Sequence, residues 1–363
     1  MKIMVVADGI GEEIYDKALS DAFIHLGHDV RRFTWRNYFQ NYQYKSVFNA
    51  EKNTNIKDKV KSLYYRIQNK FIFGPVVDEI NYELVKSASE YNPDFIFIYR
   101  GTHIYSSTID KIKQNNKCKI YGYNNDDPFS LTYPKFFWRH FNRCINTYDH
   151  IFCYRNKNIS DYHKIGYKKV SLLRSYYLKD KNFPIDIESK FDVIFIGHFE
   201  NDSRDEYIKI LIDNNINVKL YGSHWEKSKY YDFFRKRLGE DIVPIFGDEY
   251  NKKLNSSKIA LVFYSKLNND TYTRRCFEIP ATRKLMFAEY TADMDENLFK
   301  MGVEADYFRD AEEFITKIKC YLSDKKLYET VRSSGYNRLL LDGHEVVDRA
   351  KRIVKVHEDE VNN

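Results

Sequence analysis

Cysteine is scarce and unpatterned in this sequence. Its five residues, Cys118, Cys144, Cys153, Cys276 and Cys320, form no Cys-x-x-Cys pair and no Cys/His spacing of the kind that holds zinc, so thiols in a reducing compartment are expected rather than disulfides or a structural metal. A run of about eighteen apolar residues, the length a membrane-spanning helix needs, is also missing. The amino terminus, MKIMVVADGIGEE, turns acidic too early for a signal peptide, and the expected location is cytoplasmic. No short-period repeat, low-complexity tract or long disordered tail occurs, which excludes solenoid and fibrous classes.

What is present fits two globular domains. The 363 residues exceed one ordinary core, and 43% hydrophobic against 30% charged residues is a soluble balance. Aromatics reach 17%, with 31 Tyr and 26 Phe, mostly to fill cores, while exposed rings are suited to stack on sugars, bases or lipid headgroups. The net charge of +6 conceals an asymmetry: through residue 183 there are 29 Lys and Arg against 19 Asp and Glu, a balance of +10, whereas the remainder carries −4. The basic excess concentrates in residues 31–71, where Lys and Arg interleave with aromatic residues. That mixture suits an anionic membrane surface, a phosphorylated acceptor or nucleic acid, the plain alternative being a solvated helical face over aromatic packing.

Short apolar runs alternate with helix-like stretches along the chain. KIMVVA (2–7), HDVRRF, DFIFIY (94–99), KIYGY (119–123), HIFCY (150–154) and KVSLL (169–173) are followed, after a polar stretch at 176–190, by FDVIFIG (191–197), NVKLYG (217–222), DIVPIF (241–246), KIALVF (258–263) and KLMFAE (284–289). Helices are expected at 12–26, 76–90, 203–214, 227–238, 249–256 and 271–281. The pattern predicts two doubly wound, Rossmann-like parallel sheets covered on both faces and facing one another across a cleft. The expected division is an N-terminal domain over 1–178, a C-terminal domain over 179–343, and a final helix over 344–363 packing across the first domain. Ligands of such folds bind at the carboxyl ends of the strands.

Several motifs fall at or near such strand ends. In ADGIGEE, Gly9 and Gly11 match the first two positions of a dinucleotide fingerprint, but Ile14 occupies the third and Asp8 adds a charge, so the dehydrogenase reading fails in favour of a tight strand-to-helix turn. Asp293 and Asp295 read as the acidic first turn of a helix rather than a metal site. Asp126 and Asp127 in YNNDDP follow a strand and precede Pro128, which puts carboxylates at the strand's carboxyl end. In NDTYTRRCFEIPATRK, Glu278 stands among apolar residues and needs a donor to face; a surface ion pair with Arg274 or Arg275 is the plain reading.

The ordered series DVIFIGHFENDSRDEYIKIL, VKLYGSHW, LNSSKIALVF, NDTYTRRCFEIPA, MGVEADYF and GYNRLLLDGHEVVDRAKRIV resembles the nucleotide-binding half of GT-B glycosyltransferases. It looks most like the CgeB-like, spore-maturation-type branch, through Arg275, Phe277, Glu278 and Ala281. The resemblance implies transfer of a hexose-like sugar from a nucleoside-diphosphate donor, a UDP-sugar first, to a hydroxyl on a glycan, lipid-linked or other acceptor in cell-surface polysaccharide or glycoconjugate synthesis. Glu278 would accept the ribose hydroxyls, and Asp270, with seven residues between the two as in the paired glutamates of retaining relatives, would approach the transferred sugar. Amides around Thr271 to Thr273 at a helix start would point at the diphosphate. Arg204, Arg275, Arg274 and Lys266 would supply countercharge, and Gly197, Tyr272 and Thr273 would complete the donor pocket. No metal and no cofactor would be needed. If configuration inverts, Asp126, Asp127, His103 or Asp8 would be the base, His103 having a core-satisfied role as its alternative. Pro280 should kink or end its helix, and Arg283 and Lys284 stand where relatives often carry glycine. A nucleotide-sugar epimerase, a non-catalytic interaction protein and DNA as acceptor remain the competing readings.

Overall fold

Continuous apolar runs make strands here because each sheet is buried on both faces, so side chains of either parity need apolar surroundings. The computed structural model describes residues 1–42, 56–266 and 268–362. They divide into two units, Met1–Arg174 with Val346–Asn363, and Ser175–Glu345. Ser175–Leu178 and His344–Glu345 thus join the second unit, a shift of the expected division by a few residues, and the parallel bridge between Tyr177 and Glu345 links those two pieces.

The first unit is a six-stranded parallel sheet. Its strands are β1 (Lys2–Ala7), β2 (Asp29–Thr34), β3 (Phe95–Tyr99), β4 (Lys119–Asn124), β5 (His150–Cys153) and β6 (Val170–Leu172), in the order β2-β1-β3-β4-β5-β6. Alternation along the strands gives the two faces different linings. Met4, Val6, Ile96, Ile98, Ile120 and Ile151 form an aliphatic face under helices that include Pro75–Tyr91 and Ser106–Asn115. The opposite face is aromatic: Phe95 meets Tyr121 at 5.4 Å between centroids and Phe97 meets Phe152 at 6.0 Å. That face is covered by the Asp16–His25 helix and by the Val346–Asn362 helix packed beside it. His357 from the latter lies 4.8 Å from the Phe95 ring and hydrogen-bonds the Tyr121 hydroxyl at 2.9 Å.

The second unit has five parallel strands, β7 (Phe191–Ile196), β8 (Val218–Tyr221), β9 (Ser257–Val262), β10 (Leu285–Glu289) and β11 (Asp306–Phe308), ordered β11-β10-β9-β7-β8. Three expectations are corrected. Residues 241–246 form no strand, although the Gly222 amide donates to the Val243 carbonyl at 3.1 Å; Pro244 cannot donate to a ladder, and Val243 and Phe246 stay 49% and 78% exposed. The sheet is completed instead by β11, whose buried Asp306 is held by Lys317 and Tyr321. The helix expected over 271–281 is Arg275–Ala281, so Thr271 to Thr273 precede it. It ends one residue after Pro280, and Arg283 follows in a left-handed conformation (φ +56°), the geometry that glycine adopts most readily. Arg283 stacks on the Tyr336 ring at 4.3 Å.

Candidate functional site

In the second sheet the strand order reverses between β7 and β9, and the loops leaving those strands define the crevice where doubly wound sheets take ligands. The β7 loop begins at Gly197, whose carbonyl accepts from Trp225 Nε1 at 2.9 Å. A Cβ there would meet the Phe195 ring at 2.6 Å and an Arg275 guanidinium nitrogen at 3.0 Å, and one on Gly222 (φ +149°) would lie 1.9 Å from the Gly197 carbonyl oxygen. Two glycines are therefore required for these turns to meet. Glu200 ties the two loops together: His198 Nε2 lies 2.8 Å from Oε1, and Ser265 Oγ, from the β9 loop, donates to Oε2 at 3.2 Å. Burial pushes the Glu200 carboxyl up, but the hydrogen bond from His198 and the charges of Arg204 and His198 outweigh it and leave the pKa lowered.

Arg204 is 2% exposed and already committed. Its guanidinium donates to both carboxylate oxygens of Asp202, at 2.7 and 2.5 Å, and to the His198 carbonyl at 2.6 Å. It braces the β7 loop from within, so the expectation of a phosphate-facing charge is replaced by a positioning role. Lys266 lies 3.2 Å from Glu289, whose carboxylate also receives the Tyr264 amide at 2.9 Å. Tyr272 is buried completely, its hydroxyl accepting from the Ser175 amide at 3.2 Å and its ring meeting Phe277 edge-on; it is a core residue, not part of a pocket lining. The Thr273 amide donates to Cys276 Sγ, 3.4 Å away, and Thr271 to Thr273 precede the helix rather than forming its first turn. Asp270 closes the loop by donating its amide to the Ser265 carbonyl at 3.1 Å. Asp293 accepts from Thr271 Oγ1, and Thr291 caps the Ala292–Asn297 helix, in line with the helix-start reading.

Glu278 finds an ion-pair partner on one element and a hydrogen-bond donor on another. Arg274, one helical turn earlier, places Nε 2.5 Å from Oε1, and the Tyr250 hydroxyl, from the Gly247–Asn255 helix, donates to Oε2 at 2.6 Å. The carboxylate side chain is 9% exposed, so the pair is an internal one rather than a surface contact. Burial first and the Glu278 charge second hold the Tyr250 phenol well above its ordinary pKa, which keeps it a donor. A carboxylate offers about four lone-pair sites, so each oxygen retains acceptor capacity. Arg275 differs from its neighbour: it is half-buried, sits 5.8 Å from the Phe195 ring, and has no carboxylate in ion-pair range among the described residues. Tyr250 gave no signal in the sequence, and neither did the Glu200 bridge, because both depend on contacts between distant segments.

In the first sheet the order reverses between β1 and β3. Arg100, directly after β3 and in a left-handed conformation (φ +68°), spans three strand ends. It reaches Asp8 at 3.1 Å, Asp126 at 2.8 Å and the Asn125 side-chain oxygen at 3.2 Å. Burial opposes its charge, but Asp126, Tyr99 and Asp8 together outweigh burial and raise its pKa. Asp8 and Asp126 are thus brought together and Asp127 is not. Asp127 is fully buried and fixed by the Phe129 amide, Asn158 and Lys157, which makes it a turn-holding residue and withdraws it from the list of bases. His103 packs tilted against Trp35 and edge-on to Phe39, and its Nδ1 lies in hydrogen-bond range of Thr102 Oγ1. Burial, then the His140 charge, lowers its pKa to about 3, so it is a neutral packing residue and a poor proton acceptor. The sequence signal for Arg100 was a cation immediately after an apolar run and before Gly101. Among the described residues, no three His, Cys, Asp or Glu side chains are grouped to hold a metal ion, and no helix is long and apolar enough to cross a membrane.

Residues 205–355 match a family model described as glycosyl transferase-like, a span lying almost wholly in the second unit. No curated protein matches the chain. Among solved structures, the sucrose-phosphate synthase tll1590 of Thermosynechococcus elongatus is similar at 12% identity and a TM-score of 0.65, covering 99% of this chain and 98% of its own. HepE (Alr3699) of Anabaena, solved in complex with UDP-glucose, is similar at 12% identity and a TM-score of 0.63, covering 99% and 100%. A protein assigned as a UDP-N-acetylglucosamine 2-epimerase from Listeria monocytogenes follows at 11% identity and a TM-score of 0.58, covering 99% and 97%. At such identities the likeness is one of fold, and it extends over the whole chain: two Rossmann-like α/β units with parallel sheets, as in GT-B glycosyltransferases.

Proposed function

We propose that this chain is a GT-B glycosyltransferase that moves a hexose-like sugar from a nucleoside-diphosphate donor, a UDP-sugar, to an acceptor hydroxyl. The observation that carries the reading is the overlap of two things in one unit: the glycosyl transferase-like match over 205–355 and the switch-point crevice where Gly197, Arg275 and the Arg274–Glu278–Tyr250 cluster meet. Glu278, oriented by Arg274 and Tyr250, offers its remaining lone pairs to the vicinal hydroxyls of the ribose. Arg275, without an acidic partner among the described residues, is the cation for the departing diphosphate, so a divalent metal is not required. Asp270 approaches the transferred sugar if configuration is retained. Asp8 or Asp126 serves as base if it is inverted. The Arg275-x-Phe277-Glu278-x-x-Ala281 spacing favours the CgeB-like branch, with cell-surface glycan or glycoconjugate synthesis as its setting.

Screening nucleoside-diphosphate sugars for thermal shift and hydrolysis, with and without chelator, tests the proposal. Stabilisation by UDP that survives chelation and is lost in Arg275→Ala is the expected result. The fold likeness to the Listeria structure favours epimerisation as the second reading; conversion of the donor alone into an epimer would select it.

A further inference from the structure

The Ile56–Phe71 helix carries its polarity in reverse. Ser62 and Gln68 are buried, at 5% and 0% exposed, and Asn69 and Tyr65 face Tyr42, whereas Val60 and Leu63 stand 62% and 58% exposed. At about 100° per residue, Val60, Leu63, Tyr64, Ile67 and Phe71 fall within one arc of about 100°. All five are exposed. The exposed cations Lys57 and Lys61 border that arc on one side and Lys70 and Arg66 on the other, and no acidic residue occurs from Val60 to Phe71. Lys70 Nζ already lies over the Phe71 ring at 5.5 Å. The patch continues beyond the helix: the Phe71 ring packs on Phe136 at 4.8 Å, in the loop after β4, where Leu131 is wholly exposed and Lys135 is exposed beside it.

We infer that this helix docks the first unit on an anionic lipid surface, its apolar stripe entering the acyl boundary and its flanking lysines and arginine meeting lipid phosphates. The inference goes beyond the proposed transfer, since binding to a bilayer needs no donor. Charge selects the occupant. A second copy of the chain would bring Lys57, Lys61, Arg66 and Lys70 against their own equivalents, and five side chains on one helix are too few for the roughly 800 Å² per partner of a stable protein interface. A bilayer carrying negative headgroups satisfies both the stripe and its margins.

Co-sedimentation of the full chain with vesicles tests this. Vesicles of phosphatidylcholine and phosphatidylglycerol in equal parts should pellet the protein, and phosphatidylcholine alone should not. Leu63→Asp with Ile67→Asp should lower the partition at least about tenfold, since the exposed halves of the two side chains together amount to about one fully buried aliphatic side chain, with melting temperature retained because both positions are exposed. Lys61→Gln and Lys70→Gln should each lower it roughly fivefold. Failure to pellet with anionic vesicles, or equal binding by the double Asp variant, overturns the inference. So does a concentration-dependent dimer that the same variant abolishes without any vesicle binding, an outcome that would assign the stripe to a second copy.

Discussion

Glu278 has two roles that a designed pair of substitutions can separate. Its carboxylate balances a cation inside the second unit, and it is the proposed acceptor for a ribose diol. Breaking a buried ion pair by removing one partner costs about 3–5 kcal/mol; with the side chains 9% and 15% exposed, about 3 kcal/mol is the appropriate figure here. The second unit runs from Ser175 to Glu345, and a unit of that size loses about 2–4 °C per kcal/mol. Glu278→Gln should therefore lower its melting temperature by about 6–12 °C. Replacing both partners, Arg274→Met with Glu278→Leu, should restore most of that loss, because neither charge is then stranded. The ligand role responds differently. UDP at a hundred times its Kd stabilises the wild type by about 2.7 kcal/mol. Hydrogen bonds to a charged acceptor are worth about 1.5–3 kcal/mol, so both variants should fall to about 1.4 kcal/mol or less of UDP stabilisation at the same concentration. Differential scanning with and without UDP reads both effects. A double variant that recovers stability and keeps the full UDP response would refute the ribose assignment, and an unshifted melting temperature in Glu278→Gln would refute the internal ion pair.

The remaining expectations concern other parts of the molecule. Gly222→Ala should cost more than about 3 kcal/mol, since its Cβ would sit 1.9 Å from the Gly197 carbonyl oxygen and only backbone movement relieves it; urea denaturation measures this. His103 titrates near 3 when folded against an ordinary 6.5, so the unfolded chain binds the extra proton and stability is lost as pH falls below about 6.5. By pH 5.5 that loss is about 1.4 kcal/mol, and denaturation of wild type and His103→Phe at pH 7.5 and 5.5 should show the variant flatter by this amount. Arg100→Gln leaves Asp8 and Asp126 without their shared cation; it should destabilise by about 2–4 kcal/mol at pH 7, read by urea denaturation.

Strands were legible because burial on both faces turns β1, β3, β7 and β9 into unbroken apolar runs. The same criterion misread 241–246, where apolar residues surround a proline and two of them face solvent, and it passed over β11, three residues long and begun by a buried aspartate. Among the candidate residues, placement was legible where position along the strand decided the matter. Asp8 and Asp126 stand at strand ends, and the structure clusters them. Arg204 and Tyr272 lie equally close to the crevice in sequence, yet whether a side chain turns inward depends on partners such as Asp202 and Ser175 that no local pattern announces. The basic aromatic segment at 31–71 was legible as charge, but the inversion of its helix was not, and residues 43–55 of it lie outside the described residues.

The placement of the Val346–Asn362 helix has a consequence for how the chain acquires its structure. His357 completes the aromatic layer beside Phe95 and Tyr121, so during synthesis that face of the first sheet has only the Asp16–His25 helix over it while residues 175–345 are made. The opening segment therefore gains its full cover only after the helix from Val346 has left the ribosome, when residues 175–345 have already been made.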